Sequence, residues 1–272
     1  MKDYKDKVVV ITGGATGIGF AYARAFGRDG ARIVLAGRRE NRLREAVDTL
    51  TTDGVEAAFQ VCDVTDREQV VRLADFAQER FGRVDVIVNN AGTGMLSPVL
   101  ETSLADVRKL FEANFFGVWH VAEVFARRFV EQGTPAAIYN VGSENSLFHA
   151  AFGGAGYVAS KQSVGALSES LREELPDFIE VSLICPGFVR SEIEDPEFMA
   201  HGMDTDRFVD ITMPQLRAGR FYVVSHSYNA VRIAARYKEI MQAYETYAPR
   251  YDGDEEFDVR TVAAQAAADQ QR

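Results

Sequence analysis

The sequence predicts an α/β fold, a doubly wound parallel sheet of about seven strands with helices on both faces. Three observations predict it. Short β-branched runs alternate with helical patterns along most of the 272 residues, the pattern of right-handed strand-helix-strand crossovers. The first run ends in a glycine-rich turn that opens a helix. Polar and glycine positions then recur at the carboxyl ends of successive strands, where a sheet of this type places its ligand crevice.

Each element follows in order. Residues 8–11 are a β-branched run read as a buried strand. They lead into Thr12-Gly13-Gly14-Ala15-Thr16-Gly17-Ile18-Gly19, and a helical pattern over 20–28 follows. Glycines let the backbone approach a pyrophosphate, and the helix N-terminus offers free N–H donors and a positive dipole end. The second strand, 32–36, is followed by Gly37, Arg38 and Arg39. An acid in this region would hold the ribose hydroxyls of an unphosphorylated dinucleotide. Two guanidiniums stand there instead, and Arg suits a 2′-phosphate. The other reading is that they open a solvated helix over 40–50.

Residues 55–61 form the third strand, ending at Cys62-Asp63-Val64, and Asp66 caps the next helix. The fourth strand, 84–88, ends in Asn89-Asn90-Ala91-Gly92. One long helix is expected over 104–130, capped by Thr102 or Ser103, with Asn114 inside it. A mid-helix Asn is mildly unfavourable, so it serves a neighbouring polar group or a function. The fifth strand, 136–141, ends at Gly142-Ser143, and the sixth, 180–184, at Cys185-Pro186-Gly187. A seventh is expected over 219–224, and Asn229 is expected to cap a helix carrying Tyr237, Met241, Tyr244 and Tyr247.

Tyr157 and Lys161 form the one Tyr-x-x-x-Lys of the chain. Residues four apart on a helix share a face. A free phenol titrates near about pH 10, and a neighbouring cation lowers that value. The pair is therefore a candidate proton donor and acceptor for alcohol/carbonyl chemistry.

Composition narrows the class. A net charge of −10 argues against binding along nucleic acid. Cys62 and Cys185 lie in or beside apolar runs and are read as buried thiols rather than a disulfide or a metal site. No signal peptide or membrane span is visible, so the expected location is the cytoplasm. Residues 1–248 are read as a single catalytic domain with a substrate lid over 192–217, and 249–272 as an acidic, Ala/Gln-rich tail.

Thr12-Gly13-x-x-x-Gly17-x-Gly19, Asn89-Asn90-Ala91-Gly92, Ser143, Tyr157-x-x-x-Lys161 and Pro186-Gly187 resemble, in order and spacing, the short-chain dehydrogenase/reductase family. The resemblance implies a Rossmann-type sheet and a nicotinamide cofactor. It also implies four catalytic residues. Tyr157 exchanges the proton. Lys161 lowers its pKa and holds the nicotinamide ribose, and Ser143 hydrogen-bonds the substrate oxygen. Asn114 holds a water linking Lys161 to solvent. The implied cofactor contacts are Gly13, Thr16, Gly17, Ile18 and Gly19, then Arg38 and Arg39, Asp63 and Val64, Asn90, Ala91 and Gly92, and Pro186, Gly187, Val189 and Ser191. Many phosphate-selective members carry a basic residue where this chain has Thr16, so Arg38 and Arg39 supply that charge alone. NADP(H) is the expected cofactor, with NAD(H) left open. The family further implies a homodimer or homotetramer.

The expected activity is an alcohol dehydrogenase/ketone reductase acting on a small hydrophobic or aryl molecule. Met95, Leu96, Leu147, Phe148 and Phe152 are read as pocket walls, with Phe198, Met199, Met203, Phe208 and Met213 from the lid. The stretch through Ala21 also resembles family members acting on benzylic alcohols of lignin-type aryl ethers. Three alternatives stay open, one of them a sugar epimerase or dehydratase of the extended branch, for which the chain is short and shows no obvious second domain. A 3-ketoacyl reductase of fatty-acid type shares the motifs, although Glu192, Glu194, Asp195 and Glu197 would repel an acidic carrier. A non-enzymatic cofactor sensor would have no need of the full Asn, Ser, Tyr and Lys set. Glu144 and Asn145 touch either substrate or only the loop backbone.

Overall fold

A computed structural model describes residues 1–150, 154–193 and 196–270. β1 (Val8–Thr12) is buried at every position. It is followed by α1 (Gly17–Arg28), β2 (Arg32–Gly37), α2 (Glu40–Thr52) and β3 (Ala57–Val61). α3 (Arg67–Phe81) starts where Asp66 accepts from the Glu68 and Gln69 amides, as a cap should. β4 (Val86–Asn89), α4 (Leu104–Phe111), α5 (Gly117–Gln132) and β5 (Ala136–Val141) come next. Ser103 is the cap of α4. α6 (Ala155–Glu174), β6 (Ile179–Cys185), the single turn α7 (Pro196–Met199), α8 (Thr205–Arg217) and β7 (Tyr222–Val224) complete the sheet-bearing part.

The seven strands run in the order β3-β2-β1-β4-β5-β6-β7, and all their pairings are parallel. The chain winds outward from β1 to β3 and then returns to β1's other side with β4. This reversal opens a crevice at the carboxyl ends of β1 and β4. Strand periodicity feeds two cores. Val9 and Ile11 of β1 pack with Tyr22 and Phe26 of α1 and with Phe208 and Leu216 of α8. Val8 and Val10 point to the opposite face, against Leu73 and Ala77 of α3 and Phe125 and Phe129 of α5.

Two expectations are corrected here. The helix over 104–130 is not continuous. A π-helical turn, Glu112–Phe116, separates α4 from α5. Such a turn inserts one residue into the i to i−4 ladder and recurs at functional sites. Here it carries Asn114, which is fully buried.

The segment 192–217 is not one lid. Its second half is α8, whose Phe208, Val209, Met213 and Leu216 are buried in the core. Burying a side chain of this size stabilises by about 1.5–3 kcal/mol, so α8 is structural. The Tyr22 and Thr212 hydroxyls bond at 2.7 Å, and Arg24 pairs with Asp206, fastening α8 to α1.

The chain forms two compact units, Met1–Ser227 and Tyr228–Arg272. The boundary expected from the sequence, at 248, lies later in the chain. The second unit contains α9 (Asn229–Tyr247) and α10 (Val259–Gln270), so the expected tail carries a helix. Asn229 is the first helical residue of α9, and Tyr228 holds the cap position. No helix among the described residues is long and apolar enough to cross a membrane.

Candidate active site

The crevice at the switch point is a cleft of ≈ 1450 Å³. Its floor is the glycine turn. Gly13 and Gly17 have φ of +61° and +55°, a region that strains any residue with a Cβ. Gly19 is needed for a different reason. A Cβ there would lie 2.5 Å from both Asn90 Nδ2 and the Gly13 carbonyl oxygen. Thr16 gives no side-chain cap to α1, so the first-turn amides are left for an anion. Thr16, Gly17 and Ile18 all line the cleft. These features fit the pyrophosphate of a dinucleotide.

Asn90 braces that turn. Its Nδ2 donates to the Thr12 and Gly13 carbonyls at 3.0 and 3.1 Å, and its amide and that of Ala91 donate to Thr12 Oγ1 at 3.0 Å each. The ends of β1 and β4 are thereby locked together.

No carboxylate stands at the end of β2. Arg38 and Arg39 are exposed, and both line the cleft. Arg39 occupies the cap position of α2, so it opens a helix and faces the cleft at once. Its guanidinium also reaches across the cleft, donating to Glu192 at 2.9 Å and to Thr16 Oγ1 at 3.5 Å. Asp63 accepts from the Thr65 amide at 3.0 Å and from its hydroxyl at 2.9 Å, and it lines the cleft with Val64. Val64 is also what Gly117 accommodates, since a Cβ on Gly117 would meet Val64 Cγ2 at 2.6 Å.

Ser143, Tyr157 and Lys161 face the same cleft. Lys161 Nζ lies 5.9 Å from the Tyr157 ring centroid, as helical spacing requires, and donates to the Val141 carbonyl at 3.0 Å. Burial lowers the Lys161 pKa to about 8. The ammonium form still predominates at neutral pH, so a cation stands beside the phenol. Ser143 lies two residues beyond the end of β5 and is buried.

Asn114 is tied by both amide atoms to Thr93, accepting its N–H at 2.8 Å and donating to its carbonyl at 2.9 Å. Gly92 lies between Asn114 and Lys161, because a Cβ there would be 3.1 Å from Asn114 Oδ1 and 3.7 Å from Lys161 Nζ. On the far side, the Pro186 carbonyl accepts the Glu144 amide at 2.7 Å, joining the ends of β5 and β6. Gly187 gives way to the His226 ring, and Val189 pairs with Met203 in an isolated bridge. Ser191 approaches Gly17.

Apolar side chains line part of the cleft beside the charged Asp106, Lys109, Glu112 and Glu144, and they are not all those expected. Met95, Leu96, Phe198 and Met199 line the cleft. Phe208 and Met213 belong to the core instead, and Met203 packs against it. Leu147 packs in the α5/α6 cluster and Phe148 is buried. Phe152, Glu194 and Asp195 lie outside the described residues. Leu110, Phe188 and Ile193 line the cleft and were missed. Leu110 stands four residues before Asn114 in the helix that the sequence predicts over 104–130, a spacing that would have found it. Phe188 stacks at a tilt on Phe198, ring centroids 4.9 Å apart. Cys62 and Cys185 are buried and unpaired, and burial pushes both thiols up to about 12.

Comparison with known proteins agrees with this geometry. The family model described as short chain dehydrogenase matches residues 7–201. The chain therefore belongs to the short-chain dehydrogenase family, and it is an oxidoreductase of the class that acts on alcohol and ketone groups.

It is 33% identical over 243 residues to the 1-deoxy-11-beta-hydroxypentalenate dehydrogenase of Streptomyces exfoliatus, covering 86% of this chain and 88% of that one. It is 34% identical over 191 residues to the (S)-acetoin-forming diacetyl reductase of Staphylococcus epidermidis, covering 70% and 74%. Among solved structures, a short-chain dehydrogenase/reductase from Burkholderia phymatum in complex with NAD superposes with a TM-score of 0.83 at 30% identity, covering 89% of this chain and 96% of that one. An alcohol dehydrogenase from Thermococcus sibiricus, complexed with 5-hydroxy-NADP, gives a TM-score of 0.73 at 30% identity, covering 81% and 96%.

Proposed function

We propose that this chain is an NADP(H)-preferring oxidoreductase acting between a secondary alcohol and its ketone, with a hydrophobic, aryl-type substrate. The observation that carries it is the convergence of Ser143, Tyr157 and Lys161 on one cleft, floored by an uncapped helix N-terminus. A nicotinamide bound there supplies or accepts the hydride. Gly13, Gly17 and Gly19 leave room for its pyrophosphate, and the first-turn amides of α1 bind it. Arg38 and Arg39 bind a 2′-phosphate.

The chain's own residues handle the proton and the orientation. Tyr157 exchanges a proton at its phenolic oxygen with the substrate oxygen. Lys161, held by the Val141 carbonyl, favours the phenolate through its charge. Ser143 holds the substrate oxygen. Asn114 fixes Thr93 and the wall beside Lys161. Orientation of the reactants in this frame supplies much of the acceleration. Met95, Leu110, Phe188 and Phe198 enclose the apolar end of the substrate and exclude water from it. The protein works in the cytoplasm as a homodimer or homotetramer.

The test is a panel of aryl and short aliphatic ketones with NADPH and NADH, followed at the reduced-nicotinamide absorbance band. Aryl ketones with NADPH should turn over fastest. A panel on which only short aliphatic ketones react would refute the substrate class.

A further inference from the structure

We propose that Asn145 is a positioning residue that fixes the Ser143 hydroxyl as a hydrogen-bond donor to the substrate oxygen. The inference rests on the function proposed above, in which Ser143 holds that oxygen. Ser143 Oγ accepts two hydrogen bonds from one residue, the Asn145 backbone N–H at 3.1 Å and the Asn145 side-chain Nδ2 at 3.3 Å. A serine hydroxyl has two acceptor sites and one O–H to give. With both acceptor sites filled, what Ser143 presents to the cleft is its proton.

The orientation of the Asn145 amide is fixed by its other end. Asn145 Oδ1 accepts the Ala150 amide at 2.9 Å. A backbone amide can only donate, so the oxygen faces Ala150 and the nitrogen faces Ser143. Asn145 is buried, and burial holds this arrangement in place. Ser143 is anchored from behind as well. Its own amide donates to Ser146 Oγ at 3.2 Å, and the Ser146 hydroxyl donates to the Lys161 carbonyl at 2.7 Å.

The consequence is directional. A ketone oxygen, and the alkoxide that develops from it, can only accept, so a donor-only Ser143 matches both. An alcohol carries a proton that Ser143 has no free site to take. That proton is left to Tyr157, and the two hydroxyls of the site do not compete for it.

Asn145→Asp tests this. It keeps the shape, the backbone N–H and an acceptor for Ala150, but its carboxylate accepts from Ser143 and turns the hydroxyl away from the substrate. With a ketone that the wild type reduces, kcat should fall at least about tenfold, the effect of one hydrogen bond to a charged group. Cofactor Kd should stay within about twofold of wild type. In a Ser143→Ala background the same substitution should add almost nothing, because its target is gone. A purely structural role would add its full loss there and would overturn the proposal.

Wild-type kcat in Asn145→Asp also overturns it. Ser143→Ala with wild-type kcat instead sinks the assigned role of Ser143, and the present inference with it. An impaired Ser143→Ala beside a fully active Asn145→Asp sinks only the inference. If Asn145→Asp does not fold, Asn145→Ala keeps the backbone donor. It should lower kcat by less than Ser143→Ala does and leave cofactor Kd unchanged, and an unchanged kcat overturns the proposal.

Discussion

Arg39 reaches from the end of β2 to Glu192 on the segment after β6, closing an ion pair of 2.9 Å over the cofactor cleft. Both side chains are about half exposed, so the pair itself contributes little to stability. Its effect is on what Arg39 can bind. In the cofactor reading proposed above, a 2′-phosphate would compete with the Glu192 carboxylate for this guanidinium.

The first prediction follows from this competition. Glu192→Gln should tighten NADPH binding severalfold and leave NADH binding unchanged. Gly37→Asp with Arg38→Ala should reverse the cofactor preference. A Cβ at Gly37 meets only Leu43 Cδ2, at 3.8 Å, an ordinary contact, so the backbone there accepts a side chain. An Arg–phosphate contact contributes roughly 1.5–3 kcal/mol, about tenfold or more in affinity. Ratios of kcat/KM for the two cofactors check both variants. A wild type that prefers NADH tenfold would make these arginines solvent-facing helix residues.

Gly19→Ala is the second. The added methyl collides with Asn90 Nδ2 and the Gly13 carbonyl, each 2.5 Å away. Overpacking of this kind costs about 1–3 kcal/mol. The variant should melt earlier and lose cofactor affinity together, because one brace holds both strand ends and the phosphate turn. Unchanged NADPH affinity by fluorescence titration would contradict the packing argument.

Lys161 gives a prediction with a definite sign. Burial holds its folded pKa at about 8, below the ordinary 10.5. The buried ammonium therefore costs stability in full below about pH 8. Between about pH 8 and 10.5 the unfolded chain still binds the proton, the folded one does not, and the cost fades. Lys161→Met should stabilise the cofactor-free protein near neutral pH by up to about 3 kcal/mol while abolishing turnover. The gain should shrink toward about pH 10. Thermal melts at the two pH values decide it, and a gain that grows with pH would be the wrong sign.

Much of this was legible locally, because the signals are short-range. Tyr157 and Lys161 declare their shared face by a four-residue spacing, and the glycine turn declares itself by following a β-branched run. What was not legible depends on tertiary approach. Arg39 and Glu192 are 153 residues apart, and no local pattern pairs them. The π-helical turn is a change of hydrogen-bond register, to which the residue types around Asn114 are indifferent. α8 was misread for another reason. Asp206, Arg207 and Asp210 dilute its composition, and Pro214 lies inside it. Yet Phe208, Thr212 and Leu216 repeat at helical spacing, and Val209 with Met213 widens the stripe. Composition outweighed periodicity where periodicity was the better guide.

The fourth prediction concerns assembly. Phe116, which ends the π-helical turn, and Trp119 and Val130 on α5 stand 44%, 50% and 46% exposed. Tyr237, Met241, Tyr244 and Tyr247 are exposed on α9. Exposed apolar side chains in such numbers fit subunit contacts. Light scattering at micromolar concentration should give a dimer or tetramer. Trp119→Glu and Tyr244→Glu, taken separately, show which face is used. A monomeric wild type contradicts the expectation.

The central claim is that Tyr157 exchanges the proton of an alcohol/ketone reaction, and Tyr157→Phe tests it most directly. The substitution removes one oxygen and keeps the ring. NADPH affinity should be unchanged, and kcat on an aryl ketone that the wild type reduces should fall at least about a hundredfold, the low end for loss of a general acid/base. Turnover near the wild-type rate in Tyr157→Phe, with cofactor bound normally, would contradict the account.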